Sequence, residues 1–314
     1  MSNLWHVRNW FKVGKEFSWK LSFYTLGGFL GLFYNNTVFR KAAGKKHEYI
    51  ISYLRSSLHD VIERYKTYED NPDIPGNRTI WTIWWQGEAE APELVKACFR
   101  SIRRHAPGTD FKILTKDNLK EYLDVPDFIS EAMDRGTLSM ANFTDILRLM
   151  LLEKYGGLWL DSTIFTGHDI PSDIFEQSFY SLHTKWEDNC YVQQNLYHIF
   201  VIGSKKNGKL VSFTKDMFFE YLSKHDTMID YFMLDYIFYI AYLEFPDIKE
   251  EIDSLSYTSE RLYDLVNLLN KPVDENAFSS LCNECLFSKL DWHRKYKNTS
   301  HGKSTYYDVI LSMK

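Results

Sequence analysis

The chain has 314 residues, 45% of them hydrophobic and 17% aromatic, with a formal net charge of −5. That composition excludes a disordered chain, and the acidic balance argues against a nucleic-acid binder. The length admits one large domain or two smaller ones.

Charge is unevenly spread. Residues 1–47 carry Arg8, Lys12, Lys15, Lys20, Arg40, Lys41, Lys45 and Lys46 against Glu16, a net +7 that leaves −12 for the remainder. Trp5, Trp10, Phe11, Phe17 and Trp19 stand among them, and an apolar run follows from Leu21 to Tyr34. Basic and aromatic residues beside an apolar run suit contact with an anionic membrane surface. The run has 14 residues and contains Gly27, Gly28 and Gly31, short of the roughly 20 that a spanning helix needs. Interfacial attachment and an ordinary packed helix pair are therefore the competing readings. With no small-residue cleavage site, a secretory signal is not expected.

Residues 48–70 place Ile50, Ile51, Leu54, Leu58, Ile62 and Tyr65 at helical spacing. Glu69 to Asn77, with Pro72, Pro75 and Gly76, reads as a linker. It divides a basic helical extension, 1–70, from a main domain, 74–314. Thr79 to Trp85 reads as a strand and Glu93 to His105 as an amphipathic helix. A short strand at 111–115, helices near 117–122 and 126–135, and a helix over 139–154 come next. A strand over 158–165 follows, then strands at 178–182 and 196–202, and mostly helix from Leu210. Alternating strands and helices predict a parallel α/β sheet flanked by helices. Neither G-x-G-x-x-G nor G-x-x-x-x-G-K-[ST] is present, so dinucleotide and P-loop chemistry are disfavoured. Cys282-x-x-Cys285 is half of a zinc site without a second half, and reduced buried thiols are the better reading.

Chemistry concentrates in one stretch. Asp145 and Arg148 are three apart on a helix and so are neighbours. The Gly156-Gly157 turn follows, then the apolar strand Leu158-Trp159-Leu160, which delivers Asp161. A carboxylate at the carboxyl end of such a strand faces the crevice of an α/β sheet. Beside a diphosphate, Asp161 would need a divalent cation to offset repulsion. Trp85 and Gln86, at the end of the first strand, are candidate ligand contacts.

The strings T-I-W-T-I-W-W-Q-G (79–87), F-K-I-L-T-K-D-N (111–118) and F-T-D-I-L-R-L-M-L-L-E-K-Y-G-G-L-W-L-D-S-T (143–163) resemble capsular polysaccharide synthesis proteins. These are bacterial relatives of glycosyltransferase family 32. The resemblance implies a GT-A-like, mostly parallel sheet flanked by helices, with the N-terminal helical extension added. It also implies a nucleotide-sugar donor, most often a UDP-sugar, and transfer with retention. A divalent cation, Mn2+ or Mg2+, is implied too, along with a polysaccharide or lipid-linked saccharide acceptor.

By that resemblance Asp161, Thr163 and His301 would hold the metal. The family's D-x-D appears here as Asp161-Ser162-Thr163, with Thr163 acting through its hydroxyl or a water. Ser162, Trp85, Gln86, Asp145 and Arg148 would bind the donor, and Lys303 its diphosphate. Arg148 would stabilise the leaving group, and Asp235, in the run Asp230-Tyr-Phe-Met-Leu-Asp235-Tyr236, would contact sugar or acceptor. The expected location is cytoplasmic, peripheral at the inner face of the plasma membrane. The rival reading is a non-catalytic component that binds carbohydrate or a nucleotide sugar.

Overall fold

A computed structural model describes residues 2–31, 37–71, 73–185 and 191–313. The end of the 21–34 apolar run, Pro72 and Cys190 lie outside the described residues. Helices α1 (Ser2–Glu16), α2 (Trp19–Gly31), α3 (Thr37–Ser57) and α4 (His59–Tyr65) come first. Next are β1 (Thr79–Ile83), α5 (Glu93–His105), β2 (Asp110–Leu114), α6 (Leu119–Tyr122), α7 (Asp127–Asp134) and α8 (Met140–Tyr155). Four strands follow, β3 (Gly157–Leu160), β4 (Ile164–Thr166), β5 (Phe179–Ser181) and β6 (Val201–Ser204). Helices α9 (Lys209–Lys224), α10 (Met233–Glu244), α11 (Pro246–Asp253), α12 (Asp264–Leu268) and α13 (Glu275–Glu284) precede β7 (Phe287–Lys289). The hairpin strands β8 (Thr299–Ser300) and β9 (Lys303–Ser304) and helix α14 (Tyr306–Ser312) come last.

The main sheet has the order β2-β1-β3-β6-β5. β1 is parallel to β2 and β3, whereas β6 is antiparallel to β3 and to β5. The α/β class holds, with a mixed sheet. No helix occurs between β5 and β6 among the described residues, so these strands return antiparallel without a crossover.

Side chains alternate across the sheet with period two. Trp81, Trp159 and Ile202 face the main core, filled from α8, α9 and α10 by residues such as Leu149, Phe213 and Phe238. Ile80, Leu158, Leu160 and Val201 face a second core with Ile102 and Phe175. All four residues of β3 are buried, as expected of a strand covered on both faces.

The strand expected over 158–165 is broken. β3 stops at Leu160, residues 161–163 turn, and β4 pairs antiparallel with β7 in a separate sheet. The Ile164 N–H donates to the Asp161 carbonyl at 2.9 Å and closes that turn. Asp161 therefore sits at a corner between two sheets.

The N-terminal helices share the core of the rest of the chain. Ile50, Leu54, Leu58, Ile62 and Tyr65 are buried in the main cluster, with α3 against α10 and α4 against α9. A buried ion pair joins Lys46 of α3 to Asp230 at 3.2 Å. His47 Nδ1 lies 2.7 Å from the Tyr236 hydroxyl.

α8 is defined at both ends. The Ser139 side chain accepts from the Asn142 N–H, and Gly156 at φ 70° stops the helix. Gly157 has φ 104°, and a Cβ there would collide with the Thr79 carbonyl oxygen of β1. Gly157→Ala should therefore cost about 2–4 kcal/mol, from left-handed backbone strain plus overpacking. Urea unfolding measures this, and a loss under about 1 kcal/mol would contradict the account.

Candidate functional site

The carboxyl ends of β1 and β3 open on a cleft of about 700 Å³. Trp85, Gln86, Asp145, Arg148, Asp161 and Ser162 line it together, as do Trp84, Tyr231, Phe232 and Trp292. Sequence reasoning therefore brought six residues to one place. Local geometry explains why: one turn of α8 separates Asp145 from Arg148, and the glycine turn feeds β3 straight toward Asp161.

Arg148 is almost fully buried and is the hub. Its Nη2 lies 3.0 Å from Asp161 Oδ1 and 3.4 Å from Asp145 Oδ1. Nη1 donates to the Ile199 carbonyl, and the guanidinium stacks 4.9 Å from the Trp159 ring centroid. Nε is buried without a partner, as is Trp84 Nε1. Both N–H groups belong to residues that line the cleft, though the atoms themselves are shielded from solvent. The walls are aromatic: Trp84 meets Trp292 edge to face at 5.5 Å, and Trp85 meets Phe143 likewise at 5.7 Å.

Asp161 is more heavily partnered than its sequence context suggests. Oδ1 accepts from Arg148 Nη2 and from Trp159 Nε1, each at 3.0 Å. Oδ2 accepts from Lys289 Nζ at 2.7 Å. Burial pushes this carboxyl's pKa up, but Lys289 and Arg148 more than offset it and hold the group below the ordinary aspartate value. Lys289 and Trp292 were missed in the sequence. Lys289 lies 128 residues from Asp161, and no spacing rule reaches that far.

Other expected residues stand elsewhere. Thr163 is buried, and its carbonyl accepts from the Leu290 N–H at 2.9 Å. His301 and Lys303 are exposed on the β8–β9 hairpin, with His301 at φ 51° in its turn. None of the three lines the cleft. Asp235 is buried in the first turn of α10 and does not line the cleft. Asp230, beside it in the sequence run, is tied up by Lys46.

A divalent cation does not fit this donor set. Both oxygens of Asp161 already hold cationic groups, and Asp145 faces the same arginine. No group of three His, Cys, Asp or Glu side chains able to hold a metal occurs among the described residues. A dication added here would stand beside two resident positive charges. Cys282 and Cys285 are free thiols with no such group around them.

The neighbouring carboxyls behave in the opposite way to Asp161. Burial pushes Asp145 up to about 7, with Asp161 adding to the rise and Arg148 opposing it. Burial, then the Asp145 charge, pushes Asp235 up to about 8.

The family described as capsular polysaccharide synthesis protein matches residues 32–310. Among solved structures the chain is similar to one named PaToxG Glycosyltransferase, at 13% identity and a TM-score of 0.40. That likeness covers 69% of this chain and 83% of the other, and it is too remote to bear on function. No curated protein matches the sequence.

The raised Asp235 has a consequence for stability. Between about pH 4, where an unfolded aspartate ionises, and about pH 8 the folded chain keeps a proton that the unfolded chain releases. Stability therefore falls as pH rises through that window. Asp235→Asn should gain on wild type across it, by about 1.4 kcal/mol or more at pH 8 relative to pH 4. Urea unfolding at several pH values checks this; a difference that does not change with pH would contradict it.

Proposed function

The chain belongs to the capsular polysaccharide synthesis protein family, and we propose that it is a GT-A-type glycosyltransferase. It would move a sugar from a nucleoside diphosphate donor, UDP first among them, to a growing surface polysaccharide. One observation carries this reading. The cleft combines a buried arginine that has an unpartnered N–H with tryptophan walls at the strand ends of an α/β sheet. Aromatic faces suit a base or a pyranose ring, and a preset guanidinium suits a diphosphate.

In this reading Trp84, Trp85 and Trp292 flank the base or sugar, with Gln86 at the rim. Arg148 meets the charge that builds on the leaving diphosphate. Asp145 accepts hydrogen bonds from donor-sugar hydroxyls, and Ser162 bounds the pocket floor. The acceptor would enter along Tyr231 and Phe232. We assign no protein nucleophile: a retaining transfer can proceed with the departing diphosphate taking the acceptor's proton. Asp235, which does not line the cleft, would position that wall rather than touch the sugar.

Membrane attachment is part of the same reading. No helix among the described residues is long and apolar enough to cross a membrane. Phe11, Trp19, Phe23 and Leu26 are nonetheless exposed on α1 and α2. Trp19, Phe23 and Leu26 recur at helical spacing on one side of α2, and Phe11 packs edge to face on Trp19 at 5.4 Å. Lys12, Lys15 and Lys20 are exposed on the same helices. Aromatics among lysines suit an anionic lipid surface, where a lipid-linked acceptor would be met.

Release of nucleoside diphosphate from a panel of UDP-, GDP- and dTDP-sugars tests the activity. One donor should turn over. Arg148→Lys, which keeps the charge but loses the fork, should lower kcat/KM by roughly 10²-fold or more. Binding of a donor with no turnover, even with acceptor oligosaccharides present, would favour the non-catalytic reading instead. For the membrane surface, co-sedimentation with phosphatidylglycerol vesicles is the check. Replacing Phe11, Trp19 and Phe23 by serine should weaken binding roughly tenfold or more, and unchanged binding would remove that part of the proposal.

A further inference from the structure

The position beside Asp161 where a strand-end carboxylate would hold a metal is taken by a side chain of this chain. Lys289 projects from β7, whose register sets Lys289 opposite Ile164, three residues past Asp161. Its ammonium lies 2.7 Å from Asp161 Oδ2 and 4.9 Å from the Phe200 ring centroid. Arg148 approaches the other oxygen from α8. Lys289 is about one-fifth exposed and does not itself line the cleft; it reaches the site's border through its contact with Asp161, which does. An ammonium carries three donors, and Asp161 takes one of them.

Three further facts point the same way. The third residue of the 161–163 turn is a threonine, Thr163, and it is buried rather than turned to the cleft. Trp292, three residues beyond Lys289, lines the cleft, so the segment leaving β7 borders the site. Among the described residues no other three-carboxylate or histidine set offers an alternative metal position.

We propose that Lys289, seated on Asp161, supplies the positive charge that a divalent cation would otherwise bring to the donor diphosphate, so that this site binds and uses its donor without a metal. The proposal rests on the glycosyltransferase reading above. In the transfer, the bond from the anomeric carbon to the diphosphate oxygen breaks and the acceptor hydroxyl oxygen bonds to that carbon. The hydroxyl proton leaves on the diphosphate. Lys289 acts by charge and hydrogen bonding alone.

The test is calorimetric titration of the full chain with UDP, GDP and dTDP, in EDTA and separately with Mn2+. For whichever nucleotide binds, affinity should agree within about twofold between the two conditions. Lys289→Met should weaken it by roughly tenfold or more without rescue by Mn2+, while Lys289→Arg should retain most of it. Thermal unfolding of each variant guards against a folding defect, and the arginine variant decides the case if the methionine variant is unstable. Binding that collapses in EDTA, or that survives Lys289→Met, overturns the proposal and leaves the transferase reading standing. Binding of no nucleotide in either condition removes that reading and this proposal with it.

Discussion

The site depends on keeping one carboxylate charged where about three-quarters of it is withdrawn from water. Asp161 manages this because three elements converge on it: Arg148 from α8, Trp159 from its own strand and Lys289 from β7. A partly exposed ion pair of this kind stabilises little by itself. The same contact has an architectural role. The chain leaves the main sheet at residue 161 and joins the β4–β7 sheet three residues later. The Lys289–Asp161 bond therefore fastens the second sheet to the carboxyl end of the first sheet's central strand.

Around Asp161, charge is distributed against the trend of the whole molecule. The chain is acidic overall, yet two buried carboxyls near this site, Asp145 and Asp235, are pushed toward their neutral forms. Asp235 keeps its proton at neutral pH, and Asp145 is close to its midpoint. Arg148 and Lys289 thus face one carboxylate held in its charged form and one whose ionisation burial opposes. Desolvation, which makes each of these acids costly, is also what leaves the cleft biased toward an anion.

Sequence patterns are informative where the physics is local. The helix from 140, the two-glycine turn and the apolar strand can be read in order, because capping, left-handed backbone and period-two burial each act within a few residues. That run delivered Asp145, Arg148 and Asp161 to one cleft, and the strand-end rule added Trp85 and Gln86. What lay beyond local rules was missed. The break after Leu160 coincides with the polar Asp161-Ser162-Thr163 interruption of the run, but only pairing with β7 shows that Ile164 and Phe165 belong to another sheet. Lys289 follows from the same pairing. His301 and Lys303 were carried by resemblance alone, and they sit on an exposed hairpin. The described residues of 69–77 form no helix or strand, and the helices before them share the core of the chain after them.

The buried Lys46–Asp230 pair gives that shared core a mechanical meaning. Phe232, two residues from Asp230, forms part of the cleft wall, and its N–H is held by the Asp230 carboxylate at 2.9 Å. A desolvated ion pair is a stiff connector, because no water can slip in to relieve a small displacement. The α3 helix and the Tyr231–Phe232 wall are thus tied together through one buried carboxylate, so displacing α3 would strain the backbone at the lip of the cleft.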